Sequence, residues 1–203
     1  MHNLLWPTYP LVFQSKILMR FIKQSFIVGV SAGIYYLSLL LNEWVLGEPV
    51  FSFDVHWVFF PSGIRFVLVL LALESGALGI ALGGFFWIYQ DHPELGLQFA
   101  LLTGCLAGLS PLLARQLSII FLGLDREFKE VSPKTLLKIS LLFATLSALL
   151  HQLWFYTLGL TDNLALSFGA MALSNWAGTL LVLLAFKFMV QRSASPATNR
   201  QNF

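Results

Sequence analysis

The stretch WVFFPSGIRFVLVLLALESGALGIALGGFFWIYQ, residues 57–90, decides the fold of this chain. It is apolar almost throughout, and as one helix it would be roughly 50 Å long. The hydrocarbon core of a bilayer is only about 30 Å thick. The sequence therefore predicts two membrane spans here, 57–73 and 76–90, joined by a tight turn at Glu74-Ser75-Gly76.

The composition is that of an integral membrane protein. Hydrophobic residues make up 57% of the chain and charged residues only 11%, whereas a soluble domain has about 25% charged residues. So few charges cannot cover a water-facing surface, so we predict an all-α polytopic membrane helix bundle with the lipid bilayer as its main partner. The Lys and Arg residues form no basic patch, which excludes a nucleic-acid partner.

Four further apolar stretches are long enough to cross the bilayer, which takes about 20 residues. They are residues 24–42, 96–114, 138–159 and 166–189. With the two spans above, the sequence predicts about six transmembrane helices within a domain at 24–190. Residues 1–23 contain Trp6 and Phe13 and are predicted to lie at the membrane interface, the depth that aromatic rings prefer. The polar residues 191–203 are predicted to form a disordered cytoplasmic tail.

Lysine and arginine mark one side of the predicted bundle. They occur before the first span, between the fourth and fifth spans and after the sixth. The connections after the first, third and fifth spans contain acidic residues and no Lys or Arg. Because cytoplasmic connections carry the excess of Lys and Arg, both termini are predicted to be cytoplasmic.

The segment FFPSGIRF, residues 59–66, predicts an irregular entry into the second span. Pro61 suits the first turn of a helix, and Gly63 allows another backbone to come close. A helix that begins here would point free amides outward, and Arg65 adds a positive charge one turn further in. We therefore expect an anion-binding pocket at this point, since arginine at membrane depth is costly and indicates function. The alternative is that Arg65 pairs with an internal carboxylate or with carbonyls and only stabilises the bundle.

Two other polar residues are predicted at a similar depth. His151 in the fifth span and Asn175 in the sixth each lie roughly 13 Å below the outer end of their helix. With Trp57, Gly63 and Arg65 they form the predicted ligand-binding set. The alternative is that the His and Asn side chains hold helices together and that the tryptophans belong to the interfacial belt.

Enzymatic and metal chemistry find little support in the sequence. There is no GxSxG or Walker motif and no His-Glu or Cys-His spacing typical of a metal site. A haem held by two histidines is not expected either, because only His151 lies clearly within a span. We predict a non-enzyme without metal or cofactor.

Small residues are spaced for helix packing in two spans. Gly79 and Gly83 are four residues apart, and so are Gly104 and Gly108. In apolar helices this spacing lets backbones approach closely. We expect internal packing first and dimerisation second.

The segments VHWVFFPSGIRFVLVLLALESGALGIALGGFFW, residues 55–87, and LSNWAGTLLVLLAFKF, residues 173–188, carry a family resemblance. They resemble the membrane-associated sensor domains (first MASE type) of bacterial histidine kinases and cyclic-di-GMP enzymes. The matching positions are Trp57, Pro61, Ser62, Gly63, the turn at 74–76, Gly83, Gly84, Asn175 and Gly178. Members usually have more spans than the six predicted here and are fused to a signalling domain, which we do not find in this sequence.

The resemblance implies a sensory module of a bacterial inner membrane, without an output domain of its own. Such a module would bind a small ligand or a membrane partner at the outer side and would act through another membrane protein. Two alternatives remain open: the substrate-binding subunit of an energy-coupling vitamin transporter, which these glycine-rich helices also suit, and an accessory subunit that stabilises a larger membrane complex.

Overall fold

The computed structural model describes residues 9–47, 53, 55–125 and 131–194, with side chains described between residues 16 and 192. These residues are helical almost throughout and include no strand. The helices are α1 (Tyr9–Leu46), α2 (Pro61–Asp91), α3 (Gly96–Leu122), α4 (Pro133–Thr157) and α5 (Leu164–Ala194), with a short 3-10 turn at Pro93–Leu95. In this part of the chain, five helices are long and apolar enough to cross a membrane. The prediction of an all-α membrane bundle is confirmed by the length and apolar composition of these helices.

The structure has five such helices where the sequence predicted six, because the second and third predicted spans are both parts of α2. The backbone leaves helical geometry at Leu73, with φ 51° and ψ −128°, one residue before the predicted turn. A Cβ on Gly76 would lie 2.5 Å from the carbonyl oxygen of Leu68, although eight residues of straight helix cover about 12 Å. The second half of α2 therefore folds back on the first.

Contacts with α3 show the reversal of the chain along its whole path. The chain descends along α3 as far as Leu73 and then returns. Val55 belongs to the same core cluster as Phe99, and Phe66 belongs to that of Ala114. A Cβ on Gly108 would lie 2.3 Å from the carbonyl oxygen of Ala77, and Ile88 is again in the cluster of Phe99. The two halves of α2 thus run in opposite directions, the first beside α5 and the second beside α1.

The small-residue spacings serve internal packing, as the sequence predicted. A Cβ on Gly83 would lie 2.6 Å from the carbonyl oxygen of Ala32 in α1, and one on Gly104 would lie 2.6 Å from that of Ala81. Backbones therefore meet directly where α2 packs on α1 and on α3. Among the described elements, α1 packs only on α2, so most of its surface faces outward.

Two predicted boundaries differ from the observed helix ends. The predicted interfacial segment 1–23 is helical from Tyr9 onward and continuous with the first span. At the other end, α5 continues to Ala194, so the first residues of the predicted tail are helical. Residues 1–8 and 195–203 lie outside the described part of the chain.

Candidate ligand-binding site

The chain enters α2 through a non-helical segment that lies deep in the bundle. Residues 55–60 are not helical, yet Val55 is 1% exposed and His56 is buried. The amide of Phe59 donates a hydrogen bond to the carbonyl of Ser174, at 3.2 Å. Ser174 lies about 15 Å along α5 from its start. Irregular backbone at such depth is stable only where protein buries it or where it lines a cavity.

The first turn of α2 corrects one part of the predicted anion site. The helix begins at Pro61, as predicted. However, the amide of Ser62 donates to the carbonyl of Phe59 at 3.1 Å, and the amide of Gly63 donates to that of Phe60 at 3.0 Å. The prediction of free amides at this helix start was therefore wrong, because a tight first turn satisfies them. The positive charge of the site comes from Arg65.

Arg65 is a buried cation without a described counterion. Its side chain is 2% exposed, and its guanidinium carbon lies 5.9 Å, 5.6 Å and 5.7 Å from the ring centres of Tyr35, Phe59 and Phe143. Its Nε has no hydrogen-bond partner, and no carboxylate of the described residues forms an ion pair with it. Cation–π contacts contribute about 0.5–2 kcal/mol each, whereas burying one ion costs several kcal/mol. Arginine cannot lose its proton, and the three rings offset its burial cost without supplying a negative charge.

A small cavity adjoins the guanidinium group. Its volume is about 30 Å³, room for roughly two water molecules. All five helices contribute to its wall. Its polar lining includes Arg65, Thr103, Ser147, His151, Ser174 and Asn175.

The hydroxyl groups in this wall have hydrogen-bonding capacity to offer. Ser147 and Ser174 are buried, and neither Oγ has a partner among the described residues. The Nδ1–H of His151 donates to the carbonyl of Ser147, at 2.8 Å, so only its Nε2 is not used in this bond. Since buried polar groups are almost always hydrogen-bonded, the serines and Arg65 indicate a polar occupant. The combination of one permanent cation with hydroxyl donors suits an anion.

The structure brings three of the five predicted site residues together. Arg65, His151 and Asn175 line the same cavity. Gly63 does not: it lies against α5, where a Cβ would be 2.5 Å from the Cβ of Val182. Two residues along a helix turn by about 200°, so Gly63 and Arg65 face opposite ways. Trp57 is 65% exposed and is also outside the cavity wall.

Sequence reasoning missed most of the hydroxyl groups and aromatic rings of the site. Ser147 precedes His151 by one helical turn and Ser174 is next to Asn175, so each could have been found by extending the argument along its helix. Tyr35 lies on α1, where nothing in the sequence marks it. The indoles of Trp154 and Trp176 donate to Thr103 and Ser140 at 3.1 Å and 3.3 Å.

Comparisons with protein-family models, with curated proteins and with solved structures found no match for this chain. Within the described ranges, no group of three or more His, Cys, Asp or Glu residues is placed to hold a metal ion. Function is therefore inferred from the buried arginine, its cavity and the arrangement of the helices around them.

Proposed function

We propose that this protein is a sensory module of a bacterial inner membrane that binds a small anionic ligand beside Arg65. The observation that supports this most strongly is a buried guanidinium with no described carboxylate partner. A cation in such a place is costly and is retained where an anion uses it. The cavity wall offers donors for recognition, and we assign no catalytic step to it.

In the proposed topology the chain crosses the membrane six times and has both termini in the cytoplasm. The reversal at Leu73 supports two crossings by residues 55–91. The helix from 61 to 72 covers about 18 Å of a hydrocarbon core of about 30 Å, and the non-helical residues 55–60 continue from it towards the outer side. The placement of Lys and Arg in the sequence agrees with this topology.

In this topology the cavity lies in the outer half of the membrane. Ser174 is about 15 Å and His151 about 9 Å from the outer ends of their helices by helical rise. A ligand would thus come from the outside, past the irregular segment 55–60. Tyr35 and Leu39 of α1 line the cavity, so a bound ligand would touch the helix that a partner membrane protein is proposed to contact.

The face of α1 is the proposed contact for that partner. A Cβ on Gly29 or Gly33 would meet no atom within 4 Å, so this small-residue spacing is not used inside the bundle. Small residues let a second helix approach closely.

The same face would serve the vitamin-transporter subunit, but the cavity of about 30 Å³ is far below the roughly 300–1,000 Å³ of a pocket for a drug-sized molecule. The sensory function is therefore preferred.

The proposal is tested by purifying the protein from native membranes and identifying what it retains. Native mass spectrometry reports bound small molecules, and cross-linking before extraction reports membrane partners. Arg65→Ala should lose the ligand, and Arg65→Lys should keep part of the affinity, because lysine retains the charge but not the planar fork of donors. Arg192→Ala, which removes an exposed arginine in the last turn of α5, should behave as the wild type. Unchanged retention in a folded Arg65→Ala variant would contradict the site.

A further inference from the structure

We infer that the occupant of the cavity is a single small monovalent anion, of the halide or nitrate class, held by Arg65 with the hydroxyl groups of Ser147 and Ser174. The inference deepens the proposed function and rests on it. The juxtaposition that supports it is one buried cation and two unpartnered buried hydroxyl groups around one small cavity.

The charge of the occupant follows from the charge of the wall. Arg65 contributes one permanent positive charge, and no Asp or Glu of the described residues lines the cavity. A monovalent anion makes the site neutral. A dianion would leave a negative charge buried at membrane depth, which costs as much as the arginine it neutralised.

The size of the occupant follows from the volume. About 30 Å³ accommodates roughly two water molecules, so a halide or a nitrate fits. A carboxylate-bearing metabolite would need the helices to separate.

The donors select an anion over water alone. A charge-assisted hydrogen bond is roughly twice as strong as a neutral one, and the guanidinium and two hydroxyls can each donate one. Water satisfies these donors without neutralising the charge. An anion does both, so it should stabilise the fold and bind with measurable affinity.

One rival counterion is available in the chain itself. Asp54 directly precedes Val55, which lines the cavity, and Asp54 lies outside the described residues. An ion pair between Asp54 and Arg65 would remove the need for a bound anion. The variant Asp54→Asn separates the two possibilities.

The experiment measures the thermal unfolding of the full-length protein in detergent as anions are exchanged at constant ionic strength. Starting in sodium gluconate, whose anion exceeds the cavity, chloride, bromide or nitrate is titrated in. The unfolding temperature should rise and saturate, as mass action requires for a ligand that binds only the folded state. Arg65→Gln should show no saturable rise, whereas Arg192→Gln and Asp54→Asn should respond as the wild type.

A second variant covers the case in which Arg65→Gln does not fold. Ser174→Ala should fold and should weaken the apparent anion affinity about tenfold or more, the effect of losing one hydrogen bond to a charged group. Bromide should also quench the fluorescence of Trp87, which lines the cavity, and Trp87→Phe should remove the saturable part of the quenching.

Three results would overturn the inference. The first is no rise in the unfolding temperature when chloride replaces gluconate. The second is an unchanged anion affinity in Ser174→Ala, and the third is a rise in the unfolding temperature that appears only after Asp54→Asn. If a larger ligand is still retained in an Arg65-dependent manner, only the small-anion inference fails. If neither kind of ligand depends on Arg65, the proposed function fails with it.

Discussion

Gly178 of α5 lies directly against the carbonyl group of Phe59, with no room for a side chain between them. This contact places backbone on backbone at the point where the chain is not yet helical. It fixes the irregular entry of α2 one turn from the buried Arg65. The position of the guanidinium therefore depends on a glycine in a distant part of the sequence.

Gly178→Ala should destabilise the protein and displace the segment 55–60. The added methyl group would meet the backbone of Phe59, and overpacking of this kind typically costs about 1–3 kcal/mol. The free energy of unfolding in detergent measures the effect. Gly169→Ala is the matched control on the same helix, where a Cβ meets no atom within 4 Å; it should be neutral or slightly stabilising because alanine favours helices. Equal effects of both changes would show that the contact is not as tight as described.

Thr103→Val should destabilise the bundle by about 1 kcal/mol. The indole Nε1 of Trp154 donates to Thr103 Oγ1 at 3.1 Å, and valine keeps the shape of threonine without the acceptor. Unfolding measurements and the tryptophan emission maximum report the loss. Thr157→Val, at an exposed hydroxyl that bonds only its own helix, is expected to change stability by less than about 0.5 kcal/mol. If the two variants are equally stable, the Trp154 bond contributes nothing measurable.

The six-crossing topology predicts the side from which single cysteines can be labelled. In a Cys105→Ser background, Glu74→Cys at the reversal should react with an impermeant reagent only from the cytoplasmic side. Asp162→Cys, in the connection between α4 and α5, should react only from the outside. Both native side chains are exposed. Five crossings would place the two termini on opposite sides, and reporter fusions at both ends would reveal it.

The sequence predicted that the helix starts at Pro61 and that Arg65, His151 and Asn175 lie in one site, because each of these features follows from a local signal. Proline marks a first turn, and polar residues in apolar runs are conspicuous. The satisfied amides of Ser62 and Gly63 were not predictable, since they depend on the tight geometry of one turn. Tyr35 was missed because its position in the site depends on which face of α1 packs against α2.

The break at Leu73 was predicted almost to the residue from length alone. An apolar run too long for one crossing must bend, and Glu74-Ser75-Gly76 supplies the polar and small residues. What length could not predict is how short the turn between the two halves is. The backbone conformation of a single residue, Leu73, makes the reversal.

The most direct test of the central claim is the stability of Arg65→Met in a medium without small anions. If Arg65 is a buried charge that no group of the protein neutralises, replacing it with an apolar side chain of similar length should leave the free energy of unfolding unchanged or raise it, while ligand binding is lost. If Arg65 instead belongs to an internal ion pair, the same change should destabilise the protein by about 3–5 kcal/mol, because it leaves the partner's charge buried alone. The first result is the one we predict, and the second would contradict the account.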